Sequence, residues 1–169
     1  MTIPNAEHLL DQAERLIAPG GRGAPRQVDL RRAISNSYYA LFHAVSIASA
    51  DQFVGKRKQS DPLYSLVYRS IDHRALREFC DDVGKQTLPK KYIRYVPRQW
   101  PPLAIQAFAL AVVELQGKRH SADYDPMTTF SPSEARLAIR TARRALTLFK
   151  MVGPQSQNVF LTLLLFPPR

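Results

Sequence analysis

The stretch "SYYALFHAVSIASA", residues 37–50, is apolar on almost every side of a helical projection. A surface helix confines its apolar residues to one stripe, so a helix that is apolar all round belongs in the middle of a bundle. No convincing alternation of apolar and polar residues occurs before the C-terminal tail, and the chain therefore reads as all-α. Followed outward, this helix spans about Gln27 to Phe53 and is one of five segments whose apolar residues recur with helical period.

The first segment, about Asn5 to Ala18, carries Leu9, Leu10, Ala13, Leu16 and Ile17 on one side. It stops at "APGGRGAP", residues 18–25, where Gly and Pro cannot continue a helix. After the basic loop "GKRKQS", Asp61 and Pro62 supply an N-cap and a first-turn proline for a third helix, expected to continue to about Val83 with Gly84 closing it. The stretch 85–102, "KQTLPKKYIRYVPRQWPP", is a basic connector with five cations and no acid. Pro101 and Pro102 suit the first turn of a fourth helix with "LAIQAFALAVVELQGKRH" as its body, and "SPSE", residues 131–134, opens a fifth with an N-cap serine, a first-turn proline and Glu134 three residues on. On that fifth helix Arg136, Arg140, Arg143 and Lys150 share one stripe opposite Ala138, Ala142, Ala145 and Phe149; one side packs and the other faces anions or water. "NVFLTLLLF", residues 158–166, is too short to span a bilayer and is expected to dock on the core or on a second subunit. The expected architecture is an up-and-down bundle of four to five helices over residues 1–152, followed by a hydrophobic tail over 153–169.

The 169 residues fit one domain, and 24 Lys and Arg against 14 Asp and Glu give a net charge of +10. That excess favours anionic partners, nucleic acid first; no apolar run outside the tail approaches the roughly 20 residues of a membrane span, so no membrane partner is expected. One cysteine, Cys80, excludes an internal disulfide and a Cys-based zinc site. With no signal-like start in "MTIPNAEHLL", it points to a reducing cytoplasm and to an ordinary thiol on an amphipathic helix.

Several chemistries are excluded. The glycines at 20, 21 and 23 follow a helix and precede no Lys-Ser/Thr pair, so they form no P-loop. His8, His43, His73 and His120 show no two-ligand helical spacing, so no metal site and no cofactor are expected. Two polar features remain. Arg32, Asn36, Tyr39 and His43 gather on one stripe of an otherwise apolar helix, where unpartnered polar groups cost roughly 1–3 kcal/mol each. That stripe is either a structural hydrogen-bond network or faces a ligand. In "KRHSADYDP", residues 118–126, Arg119 and Tyr124 stand five apart across a helix end, placed to hold phosphate and to stack on a base. Asp123 and Asp125 give this stretch a second reading, an ion pair to Arg119 or a cap on the turn before Pro126.

Together, "RRAISNSYYALFHA" at 31–44 and "KRHSADYDP" at 118–126 resemble the HEPN superfamily, in the branch with a Tyr-Tyr-Ala-x-Phe-His-Ala helix and a later Arg-x-x-Ala-Asp-Tyr helix end. The resemblance covers roughly residues 5–152. It implies a helical bundle that pairs into a homodimer and, in many members, a metal-independent endoribonuclease whose arginine and histidine stand four to six residues apart. It equally implies relatives that bind RNA or nucleotides, or that partner nucleotidyltransferases in toxin–antitoxin pairs. Carried over, the arginine is Arg119; at the family spacing stand Asp123, Tyr124 and Asp125 and no histidine, and His120 points about 100° away on a continuing helix. Tyrosine, with an ordinary pKa of about 10, is a poor base at neutral pH.

Three functions are thus expected in descending order. The first is an RNA- or nucleotide-binding module of toxin–antitoxin type, catalytically degenerate, with Arg32, Asn36, Tyr39, His43 and Asp123 lining the groove. The second is an active endoribonuclease in which Arg119, Tyr124 and His120 or His43 act on the phosphodiester. The third is a structural dimerisation partner of a nucleotidyltransferase or another protein.

Overall fold

The computed structural model describes residues 3–18 and 23–168; positions 19–22 of the "APGGRGAP" linker, with Gly20 and Gly21, lie outside the described residues. Among the described residues the chain forms eight α-helices: α1 (Ala6–Ile17), α2 (Gln27–Ala50), α3 (Pro62–Arg69), α4 (His73–Gly84), α5 (Lys90–Ile93), α6 (Leu103–Tyr124), α7 (Pro132–Met151) and α8 (Pro154–Leu165). No strand occurs among them. The all-α class holds, while the expected four to five helices become three long ones, α2, α6 and α7, with shorter helices around them.

Helix α2 packs against α1, α6 and α7, α6 and α1 each also meet α7, and α4 lies on α6. Local signals set their ends. Asn5 accepts the Glu7 backbone N–H at 2.8 Å, and Ser131 and Glu134 form a reciprocal capping box at the start of α7. Between them the core closes over fully buried Leu30, Ile34, Leu41, Ile105, Phe108 and Leu115.

The expected third helix is two. Asp72 turns its carboxylate onto the Ala75 N–H at 2.7 Å and starts α4, while the Ser70 hydroxyl donates to the Val67 carbonyl at 2.6 Å. Short polar side chains that compete for backbone groups break a helix here although its apolar period continues. At its other end α2 passes into a π-helical turn, Asp51–Gly55, closed by Gly55 at φ 116° and tied to α3 by the buried Tyr64 hydroxyl, which donates to Asp51 at 2.8 Å. The basic connector is not a bare loop: it contains α5 and buries Tyr92 and Trp100. Pro102 is the N-cap of α6, not a first-turn residue, and Pro101 precedes it.

The hydrophobic tail forms α8 and docks on the core of its own chain. Phe160 sits 5.0 Å from Phe79, 5.8 Å from Phe149 and 5.9 Å from Phe108, ring centre to ring centre, so one side chain joins α4, α6 and α7. Cys80 is buried in α4, and burial pushes its thiol pKa up. No helix among the described residues is long and apolar enough to cross a membrane.

The cationic stripe of α7 divides in two. Arg143 reaches Glu14 and Asp11 at 2.9 Å each and Glu7 at 3.2 Å, and Lys150 reaches Glu7 at 2.7 Å, so these two cations fasten α1 to α7. Arg136 and Arg140 stay exposed, with no ion pair among the described residues. The expected anion-facing stripe is therefore half a structural clamp, because α1 brings an acidic edge that its own sequence does not pair.

Candidate functional site

The site forms where α6 stops. The last carbonyls of a helix have no partner within it. Here Arg31 of α2 supplies one, donating to Ala122 at 2.9 Å, to Asp125 at 2.9 Å, to Ser121 at 3.5 Å and to the Thr128 carbonyl. The Asp125 carboxylate accepts from the Thr128 hydroxyl at 2.5 Å and the Met127 N–H at 2.9 Å, which hold its pKa below the usual carboxylate range. "KRHSADYDP" is thus a fixed corner, and Asp125 is its cap.

Arg119, one turn back, points into the junction with α2. Its Nη2 donates to the Tyr39 hydroxyl at 2.7 Å and to the Tyr124 hydroxyl at 3.4 Å. The guanidinium carbon lies 5.2 Å from the Tyr39 ring centre and 5.3 Å from that of Tyr124, within cation–π range of both. Nε comes within 2.6 Å of Asp123 Oδ2, yet its N–H is not directed at that oxygen and makes no hydrogen bond; the contact is an ion pair only. Asp123 Oδ1 in turn accepts from the Ser35 hydroxyl. The Arg119 side chain is 13% exposed, so it is a largely enclosed, partly neutralised cation and not an open one. Nη1 has no hydrogen-bond partner among the described residues and is not fully buried, so that nitrogen keeps some contact with solvent.

Two imidazoles complete the cluster. His73 Nδ1 meets the Tyr38 hydroxyl at 2.8 Å, and His43 Nδ1 meets the Tyr68 hydroxyl at 2.5 Å. Tyr39 lies between them, its ring centre 5.8 Å from His73 and 6.1 Å from His43, and the Phe42 ring is 4.1 Å from His73. Burial lowers the pKa of both histidines; His73 adds to the shift at His43, and Arg119 adds to it at His73. Both rings are therefore neutral at pH 7. Tyr38 is fully buried, and burial raises its pKa, so its phenol keeps its proton; His73 Nδ1 is the only acceptor it has among the described residues. Nδ1 of His73 then accepts, and the proton of the neutral ring sits on Nε2.

The residues expected from sequence do not all meet here. Tyr39, His43, Arg119, Asp123 and Tyr124 come together. Arg32 is exposed and away from the junction, because its neighbour Arg31 occupies the face that meets α6. Asn36 turns to α1, donating to Gln12 at 3.0 Å. His120 is exposed, its ring 5.1 Å from that of Tyr124, centre to centre. Sequence reasoning missed Arg31, Ser35, Tyr38, Tyr68 and His73. Arg31, Ser35, Tyr38 and Phe42 form a helical stripe one position earlier than the one expected, and that signal was present; nothing local pairs His73 with Tyr38 or Tyr68 with His43. No group of three or more potential metal-ligating side chains occurs among the described residues. No protein-family model, curated protein or solved structure matches this chain.

Proposed function

We propose that this protein is an RNA- or nucleotide-binding module of HEPN, toxin–antitoxin type, whose phosphate-facing site is the Arg119 junction and which lacks a competent general base. The observation that carries the proposal is the unpartnered, not fully buried Nη1 of Arg119, whose guanidinium lies between two tyrosine rings beside two neutral imidazoles. A guanidinium edge suits a phosphate oxygen, and the flanking tyrosines suit a base or ribose. Ribonuclease chemistry needs a group that removes the 2′-hydroxyl proton. His73 is poorly placed for that: Tyr38 fills its Nδ1, and its Nε2 already carries a proton, so it offers a hydrogen bond without taking one.

Asp123 shares the Arg119 charge, so affinity is expected to be modest and strongly salt-dependent. A homodimer and a nucleotidyltransferase partner belong to the same proposal, tested by sedimentation and by co-purification. The primary test is fluorescence anisotropy with labelled RNA between 50 and 200 mM salt, alongside a cleavage assay in EDTA. Steep loss of affinity with salt, at least tenfold weaker binding in Arg119→Gln and intact RNA are the expected results. Absence of binding at low salt would overturn the proposal, and EDTA-resistant cleavage abolished in Arg119→Gln would replace it with the endoribonuclease reading.

A further inference from the structure

A second feature lies away from the Arg119 junction. The connector 85–102 and α8 enclose a groove of about 730 Å³, within the range of small-ligand sites. Trp100 fixes the two walls together, its indole N–H donating to the Ser156 carbonyl at 3.3 Å. Tyr95, half-exposed, lines the connector side. Across from it, α8 presents Gln155, Asn158 and Thr162 at i, i+3 and i+7, a single stripe on the side opposite the buried Phe160 and Leu164, and Phe166, the non-helical residue that caps α8, closes the end of the groove. The Gln155 and Asn158 amides make no hydrogen bond among the described residues, and Phe166 is 62% exposed.

The connector that supplies Tyr95 carries five cations and no acid of its own. Asp82 takes Lys85 and Lys91, whereas Lys90, Arg94 and Arg98 are exposed with no ion pair among the described residues. No carboxylate lines the groove. The Arg94 guanidinium lies 4.8 Å from the Tyr95 ring centre, so one face of the ring already carries a planar cation of the kind that accompanies stacked bases.

We infer that this groove is a separate site for single-stranded nucleic acid, with bases stacked on Tyr95 and Phe166, base edges met by the Gln155 and Asn158 amides, and phosphates by Lys90, Arg94 and Arg98. Each part of the groove matches one part of a nucleotide. Aromatic faces accept any base, free amides offer both donors and acceptors to base edges, and unpaired cations release counterions from the backbone. Val159, Leu163, Pro167 and Pro168 give the groove an apolar floor, and the exposed Gln155 and Asn158 amides interrupt it where an amphipathic protein helix would need it continuous. The inference does not depend on the Arg119 site, since the two share no residue.

The test uses the full chain with fluorescein-labelled U12, A12 and dT12 in anisotropy titrations. In the Arg119→Gln background, Tyr95→Ala is expected to weaken the residual binding about tenfold, Tyr95→Phe to leave it unchanged, and Asn158→Ala to weaken it less while altering the preference between U12 and A12. The double variant Arg94→Gln, Arg98→Gln should flatten the slope of log K against log salt by about 1.4, about 0.7 for each lost phosphate contact. The RNA and DNA arms decide whether the 2′-hydroxyl contributes. Arg119→Gln separates this site from the proposed function. Residual binding in that variant that still responds to Tyr95→Ala supports the groove. Complete loss in Arg119→Gln with wild-type binding in Tyr95→Ala and Asn158→Ala would overturn it and leave the junction standing; loss in Tyr95→Ala with a silent Arg119→Gln would support the groove and overturn the junction. All these side chains except Arg119 are exposed, and matching circular-dichroism melts check that folding is unaffected.

Discussion

Arg143 and Arg119 are the same side chain in two opposite settings. Arg143 sits at the α1–α7 seam with three carboxylates around it, all held by charge, and its pKa is raised first by the hydrogen bond it donates to Glu14 and then by the one it donates to Asp11. Arg119 has one carboxylate, two aromatic faces, two phenol hydrogen bonds and two uncharged imidazoles. The first is over-neutralised and welds two helices. The second keeps part of its charge among groups that add no negative charge of their own, which is what an anion site needs. A cationic stripe on a helix is therefore no guide to which arginine binds a ligand; its partners on other helices decide that.

Four changes break or sharpen this contrast. The largest effect is expected from Arg31→Ala, which leaves two carbonyls in the last turn of α6 and two just beyond it without their guanidinium partner and should cost about 3 kcal/mol in urea unfolding while disordering the Arg119 corner. If stability and RNA affinity were both unchanged, the corner would not be what holds the site. Next, Asp123→Asn removes the competing carboxylate, and RNA affinity should rise about tenfold, the effect of about 1.4 kcal/mol expected of a partly enclosed charge. Unaltered or weaker binding would mean that Asp123 orients Arg119 more than it competes for it.

Arg143→Ala should cost about 1 kcal/mol of stability, more at low salt than at high, because the cluster is partly exposed and screened. Its RNA affinity should equal that of the wild type; a matching loss of affinity would erase the distinction between the two arginines. The smallest effect is a pH dependence confined to the junction. His43 and His73 are harder to protonate folded than unfolded, so their contribution is fully present above about pH 6.5 and is lost as pH falls below it. Melting temperature measured against pH should drop on that side in the wild type and in Arg143→Ala alike, and less in His73→Gln.

The legible parts of the fold were those governed by local chemistry. Asn5, Asp61 and Ser131 announce helix starts because a short polar side chain satisfies backbone N–H groups within three residues of itself. The break at Ser70–Asp72 used the same chemistry and was missed because the apolar period runs through it. In the site, Arg119, Asp123 and Tyr124 were legible as neighbours along one helix, and the two readings of Asp123 were left open until its contact with Arg119 was seen. Arg31 and Arg32 are adjacent and chemically identical; only the direction of α6 decides which of them caps it.

From its sequence alone this chain is fixed as helical, basic and built around the segment 37–50, because period, propensity and capping act over a few residues and need no partner. The tertiary structure alone decided which cations are spent on carboxylates, which histidines stay neutral, and that the tail folds back as α8. Those outcomes depend on groups tens of residues apart in the chain, and the electrostatics of a site is set by what lies within a few ångströms in space.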